Sequence, residues 1–434
     1  GTESIVIMPY YNTKFNSKNS FDTIYSDTIQ LNDTSYPFHI LKLKNIDLGF
    51  ELFCVDIPEL LFKEYVYSFD DTERFLAFQI AALNWMLTWN DKPDIVHCHD
   101  HHTGLTPFMM SQCYQYEQFK NTPTILTIHN AQYQGWFSHD HVHLLPEFDM
   151  FKAGLLDWNG QINPLAAAIK CAWKVTTVSP SYMEELKNNA NGLEALLEHE
   201  SNKCVGILNG IDSDVWNPET DKYIIKNFKK STVVSGRKAN KKWLCKEFNL
   251  DPKKPLFAFI GRLVGEKGAE LLPEVFDKVL ETKNISVLLL GSGIPEVENE
   301  LQTLIDKYPG SYNAYIGYDE KLSHIIYAGA DFLLMPSRVE PCGLNQLYSL
   351  RYGLIPIVRE IGGLKDTVID ISNNGFGFTH IDVDVNQIID TIKRAVTFYN
   401  QKDAFNKNRK KIMGIDHSWN VSALEYINLY NSIN

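Results

Sequence analysis

The sequence predicts an α/β protein of two doubly wound domains, and three observations predict it. Short apolar runs alternate with segments whose apolar residues fall near helical spacing, the pattern of strand–helix–strand units. The runs are apolar almost throughout, as strands covered by helices on both faces must be. Strand signals stop at Cys204 to Leu208 and resume at Leu256, which divides the chain into two such arrays. At 434 residues, 44% of them hydrophobic, the chain is long enough for two or three domains with sizeable cores.

Taken in order, the first array opens abruptly on a strand, Ser4 to Met8, behind a first residue, Gly1, that is not Met. A helical pattern follows over Arg74 to Trp89, then strands over Asp94 to His97, Thr124 to Ile128 and Lys174 to Val178. Residues 1–212 make the first domain on this reading. A linker is expected from Ile211 to Pro255, because strand signals lapse there and Lys226 to Lys242 is polar and basic. The second array has strands at Leu256 to Ile260, Val287 to Leu290 and Asp331 to Met335, with helical patterns over Glu266 to Thr282 and Leu347 to Tyr352. Residues 213–434 make the linker and second domain, and a tail over about 418–434 reads as an amphipathic closing helix. No internal repeat or low-complexity segment interrupts this order.

Composition excludes some functions. A net charge of −12 disfavours binding to nucleic acid phosphates or to anionic lipid, so neither is an expected partner. No signal peptide is visible, and no apolar run approaches the roughly 18 residues that span a membrane. The seven cysteines, Cys54, Cys98, Cys113, Cys171, Cys204, Cys245 and Cys342, are dispersed with no C-x-x-C pair. Reduced thiols in the cytoplasm are the expectation. Oligomeric state is left open.

The most informative stretch is Glu340-Pro341-Cys342-Gly343-Leu344-Asn345-Gln346, between the apolar run Phe332 to Pro336 and a helix start. Free N–H groups around Cys342, Gly343 and Leu344, with the helix dipole behind them, suit a phosphate. Glu340 is placed to hold sugar hydroxyls, and together they suggest a sugar-nucleotide site. Arg262 and Lys267, in Ile260 to Gly268, follow another strand, with Lys267 expected at a helix start. Two cations there suit a diphosphate that gains charge as its sugar bond breaks, a pair of surface cations being the plainer alternative. Leu290-Gly291-Ser292-Gly293 could approach a nucleotide or mark only a turn. Tyr318 could stack on a base or belong to the core.

In the first half, His97, His99, His101 and His102 with Cys98 suggest a metal, but the spacing supplies no recognisable ligand complement and none is expected. His129, at the end of the Thr124 to Ile128 strand, could be a satisfied core histidine.

These motifs resemble bacterial glycogen synthases and plant starch synthases, retaining glucosyltransferases of family five. The resemblance rests on Ile316 to Asp319, His324, Tyr327 to Asp331, Met335 to Arg338, Glu340 to Gln346, Arg351 to Gly353, Pro356 and Gly362 to Val368, and runs from Pro9-Tyr10-Tyr11 to Ser418-Trp419. It implies two Rossmann-like domains facing across a cleft (GT-B), closure of the two, a terminal helix that crosses back onto the first, and transfer of glucose from ADP-glucose to an α-1,4-glucan. No cofactor is implied, since ADP-glucose is a substrate. By residue match, Arg262 and Lys267 hold the diphosphate, Tyr318 lies against adenine, Glu340 binds hydroxyls, and Asn209 makes a polar contact with the sugar. His129, in Thr127-Ile128-His129-Asn130 with Tyr133 downstream, donates to the glucose 6-hydroxyl, and Asp100 lies near sugar and acceptor. His101 and Tyr133 fall on the acceptor side. The chain departs from the family at His101, where bacterial members usually carry tryptophan, and shows no K-x-G-G-L loop, so it is expected to begin after that loop. A UDP-glucose-dependent transferase and a noncatalytic glucan-binding protein are the alternatives.

Overall fold

A computed structural model of the chain describes residues 3–63 and 65–433. They form two compact units, one of Gly1–Thr176, Leu186–Val205 and Tyr430–Asn434, the other of Thr177–Glu185 and Gly206–Leu429.

The first unit holds two sheets. Strands β1 (Ile5–Pro9), β2 (Ser20–Leu31), β3 (Thr34–Lys44) and β4 (Glu51–Asp56) pair in the order β1-β4-β3-β2. The β1–β4 pair is parallel and the others are antiparallel, a hairpin that the apolar runs did not announce. Its tip is the two-residue loop Asn32-Asp33, with Asn32 at φ 53°, the left-handed geometry that matches hairpin twist. Strands β5 (Val96–His99) and β6 (Thr124–Ile128) are followed by a short ribbon, β7 (Asp157–Trp158) with β8 (Gln161–Ile162). With β9 (Lys174–Thr177) and β10 (Cys204–Gly206), β5 and β6 form a sheet in the order β10-β9-β6-β5. The helix Asp71–Met86 packs Leu76, Phe78, Ile80 and Leu83 into a core with Phe38, Ile40 and Val55. The β5 strand runs two residues further than expected, which puts His97 and His99 on one face of it.

The second unit is doubly wound. Strands β11 (Leu256–Ile260), β12 (Ser286–Gly291), β13 (Tyr312–Ile316), β14 (Phe332–Met335), β15 (Ile355–Arg359) and β16 (Phe378–His380) pair in parallel in the order β13-β12-β11-β14-β15-β16. Alternate residues serve opposite faces. Phe257, Phe259, Val287 and Leu289 join one core cluster, with Leu301 and Ile392 from the helices Pro295–Lys307 and Val385–Asn400. Leu256, Ala258, Leu288 and Leu290 join the other, with Leu244 and Ile325 from the helices Val233–Glu247 and Glu320–Gly329. Both faces are therefore dry, which is why the strands are apolar throughout. Side chains start the helices: Asp319 accepts the Leu322 N–H and Asp384 the Gln387 N–H.

Two expectations need correcting here. The segment 211–255 is not only a linker, since its helix Val233–Glu247 is part of the second unit's core. The terminal helix Trp419–Asn431 is not plainly amphipathic: Trp419, Val421, Leu424 and Ile427 stay exposed, and Ser422 is the one residue it buries fully among those described.

Candidate active site

In the second sheet the chain order reverses between β11 and β14, the first strand of each half. In open parallel sheets this switch point leaves a crevice beyond the carboxyl ends of the two strands, where ligands bind. Arg262 and Lys267 follow β11, and Glu340 to Leu344 follow β14, so the topology brings the two motifs to one edge.

Lys267 Nζ lies 2.8 Å from Glu340 Oε1 and 2.7 Å from Oε2. Ser337 Oγ donates to Glu340 Oε2 at 2.9 Å, and the carboxylate is largely buried. Lys267 does not open a helix, as the sequence suggested. It ends a 3-10 turn, Gly265–Lys267; a second such turn, Ala269–Leu271, follows, and the next α-helix starts at Leu272. The reason is Gly268, at φ 65°, which cannot continue a helix and passes so close to β14 that a Cβ there would lie 2.4 Å from the Pro336 carbonyl oxygen. That close approach carries Lys267 to Glu340. Arg262 remains mostly exposed, tied only to Glu266 at 3.1 Å among the described residues.

The loop after β14 feeds the helix Asn345–Tyr352. Gly343 takes φ 73°, and among the described residues the Gly343 and Leu344 N–H groups donate to nothing. The loop is braced by Gln346 Nε2, which donates to the Cys342 and Gly343 carbonyls at 2.9 Å, and by Asn345 Nδ2, which donates to the Ile260 carbonyl at 2.8 Å. Ser337, Asn345 and Gln346 are supports that the site expectations omitted. In sequence all three lie within the Met335 to Arg338 and Glu340 to Gln346 stretches, where nothing marks their bracing role. Cys342 is buried, and burial pushes its thiol up to about 12 although the Asn209 backbone N–H points at it. It is a neutral wall of the site, and the contact brings Asn209 to this loop. Tyr318 follows β13 and is 86% exposed, so it is a free ring rather than a core one.

The first unit assembles the remaining candidates at the ends of β5 and β6. Asp100 sits at φ 55° and ψ −170°, a region nearly closed to residues with a Cβ, at a cost on the order of 1–3 kcal/mol. It is held there by its surroundings: its N–H donates to the Thr127 carbonyl, and its Oδ1 accepts the His129 N–H at 2.8 Å. Burial raises the Asp100 carboxyl, against the nearby His129 and these backbone donors. His99 Nδ1 lies 3.0 Å from His129 Nε2, and the rings stack at 5.3 Å. Burial, then the His129 charge, push His99 down to about 4, and burial takes His97 and His102 to about 3.

His101 packs on His102 with ring centroids 3.9 Å apart and bonds the Tyr133 backbone, while Tyr133 itself is half exposed and stacks with Tyr67 at 6.5 Å. Among the described residues no three His, Cys, Asp or Glu side chains come together so as to hold a metal ion.

Residues 1–199 match the starch synthase catalytic domain, and residues 241–412 match the glycosyl transferases of group 1. The chain is 49% identical over 436 residues to a glycogen synthase of Flavobacterium johnsoniae, covering 100% of this chain and 92% of that one. This chain belongs to the glycogen synthase family. It is 37% identical over 398 residues to the glycogen synthase of Anoxybacillus flavithermus, covering 89% of this chain and 81% of that one. The catalytic domain of starch synthase IV from Arabidopsis thaliana, solved bound to ADP and acarbose, shares its fold at a TM-score of 0.88 and 31% identity, over 98% of this chain and 91% of that one. As a glycogen synthase family member the chain is a glycosyltransferase with the two-domain α/β fold of that structure.

Proposed function

We propose that this chain transfers glucose from ADP-glucose to the non-reducing end of an α-1,4-glucan with retention at the anomeric carbon. One observation carries the reading: Lys267 meets Glu340 at the switch point, in the loop that also leaves the Gly343 and Leu344 N–H groups open. A cation and open N–H groups suit a diphosphate, and a carboxylate suits sugar hydroxyls. The exposed Tyr318 supports an aromatic base as the third part, and the Arabidopsis structure was bound to ADP.

On this reading Arg262 and Lys267 hold the diphosphate, and Glu340 and Asn209 face the sugar. In the first unit, Asp100 and His129 serve the sugar, and His101 and Tyr133 the acceptor side. The bond from the anomeric carbon to the diphosphate oxygen breaks as the bond to the acceptor oxygen forms. The acceptor proton passes to the departing diphosphate, whose charge is met by Arg262, Lys267 and the loop N–H groups. No metal or cofactor is called for. Glu340 is unsuited as a nucleophile because Lys267 and Ser337 occupy its oxygens. The seven free thiols support a cytoplasmic setting.

The test is ADP release from ADP-glucose with and without glycogen, with UDP-glucose as competitor. Glycogen-dependent release that UDP-glucose barely inhibits is expected. Preference for UDP-glucose would overturn the donor, and glycogen binding without release would overturn the enzyme. A glucosyl–protein adduct trapped and located by mass spectrometry would overturn the single-step course.

A further inference from the structure

His99 is not needed for any role assigned above, yet its ring is the best-placed polar neighbour of His129. Its Nδ1 lies 3.0 Å from His129 Nε2, while His129 Nδ1 has no partner among the described residues. The His99 ring rests on a fixed floor. It stacks on His97 with centroids 4.6 Å apart and planes 14° from parallel. His97 in turn is held at both nitrogens, by Tyr430 Oη at 2.8 Å and by Thr127 Oγ1 at 2.6 Å, with Thr127 bonded onward to Thr176 at 2.6 Å. On its far side His129 is tied through its backbone N–H to Asp100. The imidazole of His129 is thus oriented from one side, at one nitrogen, by one neutral neighbour.

Which nitrogen of a neutral imidazole carries the proton is set by the hydrogen bond made at the other. We propose that His99 is a positioning residue: its Nδ1–H donates to His129 Nε2, which keeps the His129 proton on Nδ1 as a donor toward a sugar hydroxyl. This rests on the reading above that His129 serves the sugar. Held well below its ordinary range, His99 stays neutral at pH 7 and so has a single proton to place. Left alone, a histidine side chain favours its proton on Nε2, so the inferred state is one the protein must impose.

The experiment reads the tautomer directly. With histidine labelled at its ring nitrogens, the 15N shifts of His129, assigned by loss of its signals in His129→Ala, are measured at pH 7.5. The proton is expected on Nδ1 in the intact protein, on Nε2 in His99→Ala, and on Nδ1 again in His99→Asn, whose amide nitrogen overlays the imidazole Nδ1. In parallel, His99→Ala should lower kcat by on the order of ten- to a hundredfold, by analogy with the loss when a metal-bound histidine is deprived of the outer partner that orients it. The KM for glycogen should stay nearly constant, His99→Asn should recover most of the loss, and the double variant with His129→Ala should be no slower than His129→Ala alone. An Nε2 proton in the intact protein, a tautomer unmoved in His99→Ala, or losses that multiply in the double variant would each overturn the proposal. Full activity in His129→Ala would overturn instead the reading beneath it. Should His99→Ala fail to fold, the intact protein and His99→Asn still decide.

Discussion

In the first unit the polar groups at the ends of β5 and β6 are mainly imidazoles kept neutral: His97, His99, His101 and His102 all sit below the ordinary histidine range. In the second unit the corresponding groups are full charges in pairs. Lys267 meets Glu340 at the sheet edge, and at the opposite end of β14 Asp331 is fixed by Lys241 and Arg409, each at 2.6 Å. Neutral rings can present donors and acceptors to an uncharged sugar without binding a counterion. Paired charges are preorganised for an anion and hold their geometry in its absence. At the site ends of the strands the difference follows the chemistry of what each unit is proposed to hold, while the Asp331 cluster, at the far end of β14, serves the fold.

The comparison breaks most visibly where a charge pair is cut. Asp331 is 2% exposed and also accepts the Leu256 N–H at 2.8 Å. Asp331→Asn would leave Lys241 and Arg409 buried beside a neutral amide, a loss of about 3–5 kcal/mol. Thermal unfolding should show the second unit melting well before the first. A shift of a degree or two would mean that the buried pairs contribute little. Lys267→Gln comes next: it keeps a hydrogen bond for Glu340 but removes the cation. We expect kcat to fall on the order of a hundredfold or more, with a smaller loss in melting than Asp331→Asn causes, because Lys267 is partly exposed and Ser337 still bonds Glu340. An equal loss from the exposed Arg262→Gln would show that burial of the pair is not what matters.

Acid separates the units more gently. A histidine whose folded pKa is depressed binds fewer protons than in the unfolded chain, so its contribution is complete above the unfolded value of about 6.5 and fades as pH falls toward the folded value. With His97 and His102 at about 3 and His99 at about 4, the first unit should weaken between about pH 6.5 and 4. Asp56 and Asp100, raised by burial, offset part of this as they take up protons. In the second unit Asp221, Asp331 and Asp370 are depressed, the last to about 2, so their contribution fades only as pH falls below the unfolded carboxylate value of about 3.9. That unit also holds two lowered histidines, His380 and His417, so the contrast is one of degree. Hydrogen exchange at pH 7.5 and 5, corrected for intrinsic rates, should show protection over 96–130 dropping more than over 256–291. Equal losses would erase the contrast.

The same contrast explains what was legible in sequence. Strand Leu256–Ile260 was read to the residue, and Val287 to Leu290 and Asp331 to Met335 to within one, because strands buried on both faces show as unbroken apolar runs. The helix Val233–Glu247 reads as part of a linker because its buried face includes Arg237, Asn240 and Lys241. Arg237 is fully buried and donates to the carbonyls of Tyr327, Ala330 and Tyr352, a use of charge that no hydropathy pattern displays. The motifs flag candidate residues one by one. They do not display the pairing, because Lys267 reaches Glu340 only through the backbone of Gly268 and the order of the strands. In sequence His99 belongs to a histidine cluster, and its partner His129 lies thirty residues away, just past the end of the neighbouring strand.

The smallest effect concerns the hairpin that the sequence concealed. The β2 strand shows Asp22, Thr23, Ser26, Asp27 and Thr28 on its outer positions, and a register shift between Thr23 and Tyr25 breaks its alternation, so only Ile29 and Leu31 read as core. What fixes the pairing is therefore the turn. Leu31 faces Thr34 across Asn32-Asp33, and Asn32 at φ 53° is the residue type with a side chain that tolerates this conformation best. Asn32→Ala should cost about 1 kcal/mol, because Ala keeps the Cβ strain of the left-handed region but lacks the short polar side chain that offsets it, while Asn32→Gly, which has no Cβ, should be close to neutral. If both variants matched the parent in urea melts of the first unit, register would be set by Ile29, Leu31, Phe38 and Ile40 against the core. A loss in Asn32→Ala that Asn32→Gly does not share would instead show that a local rule, rather than hydrophobic pattern, places the β2–β3 hairpin.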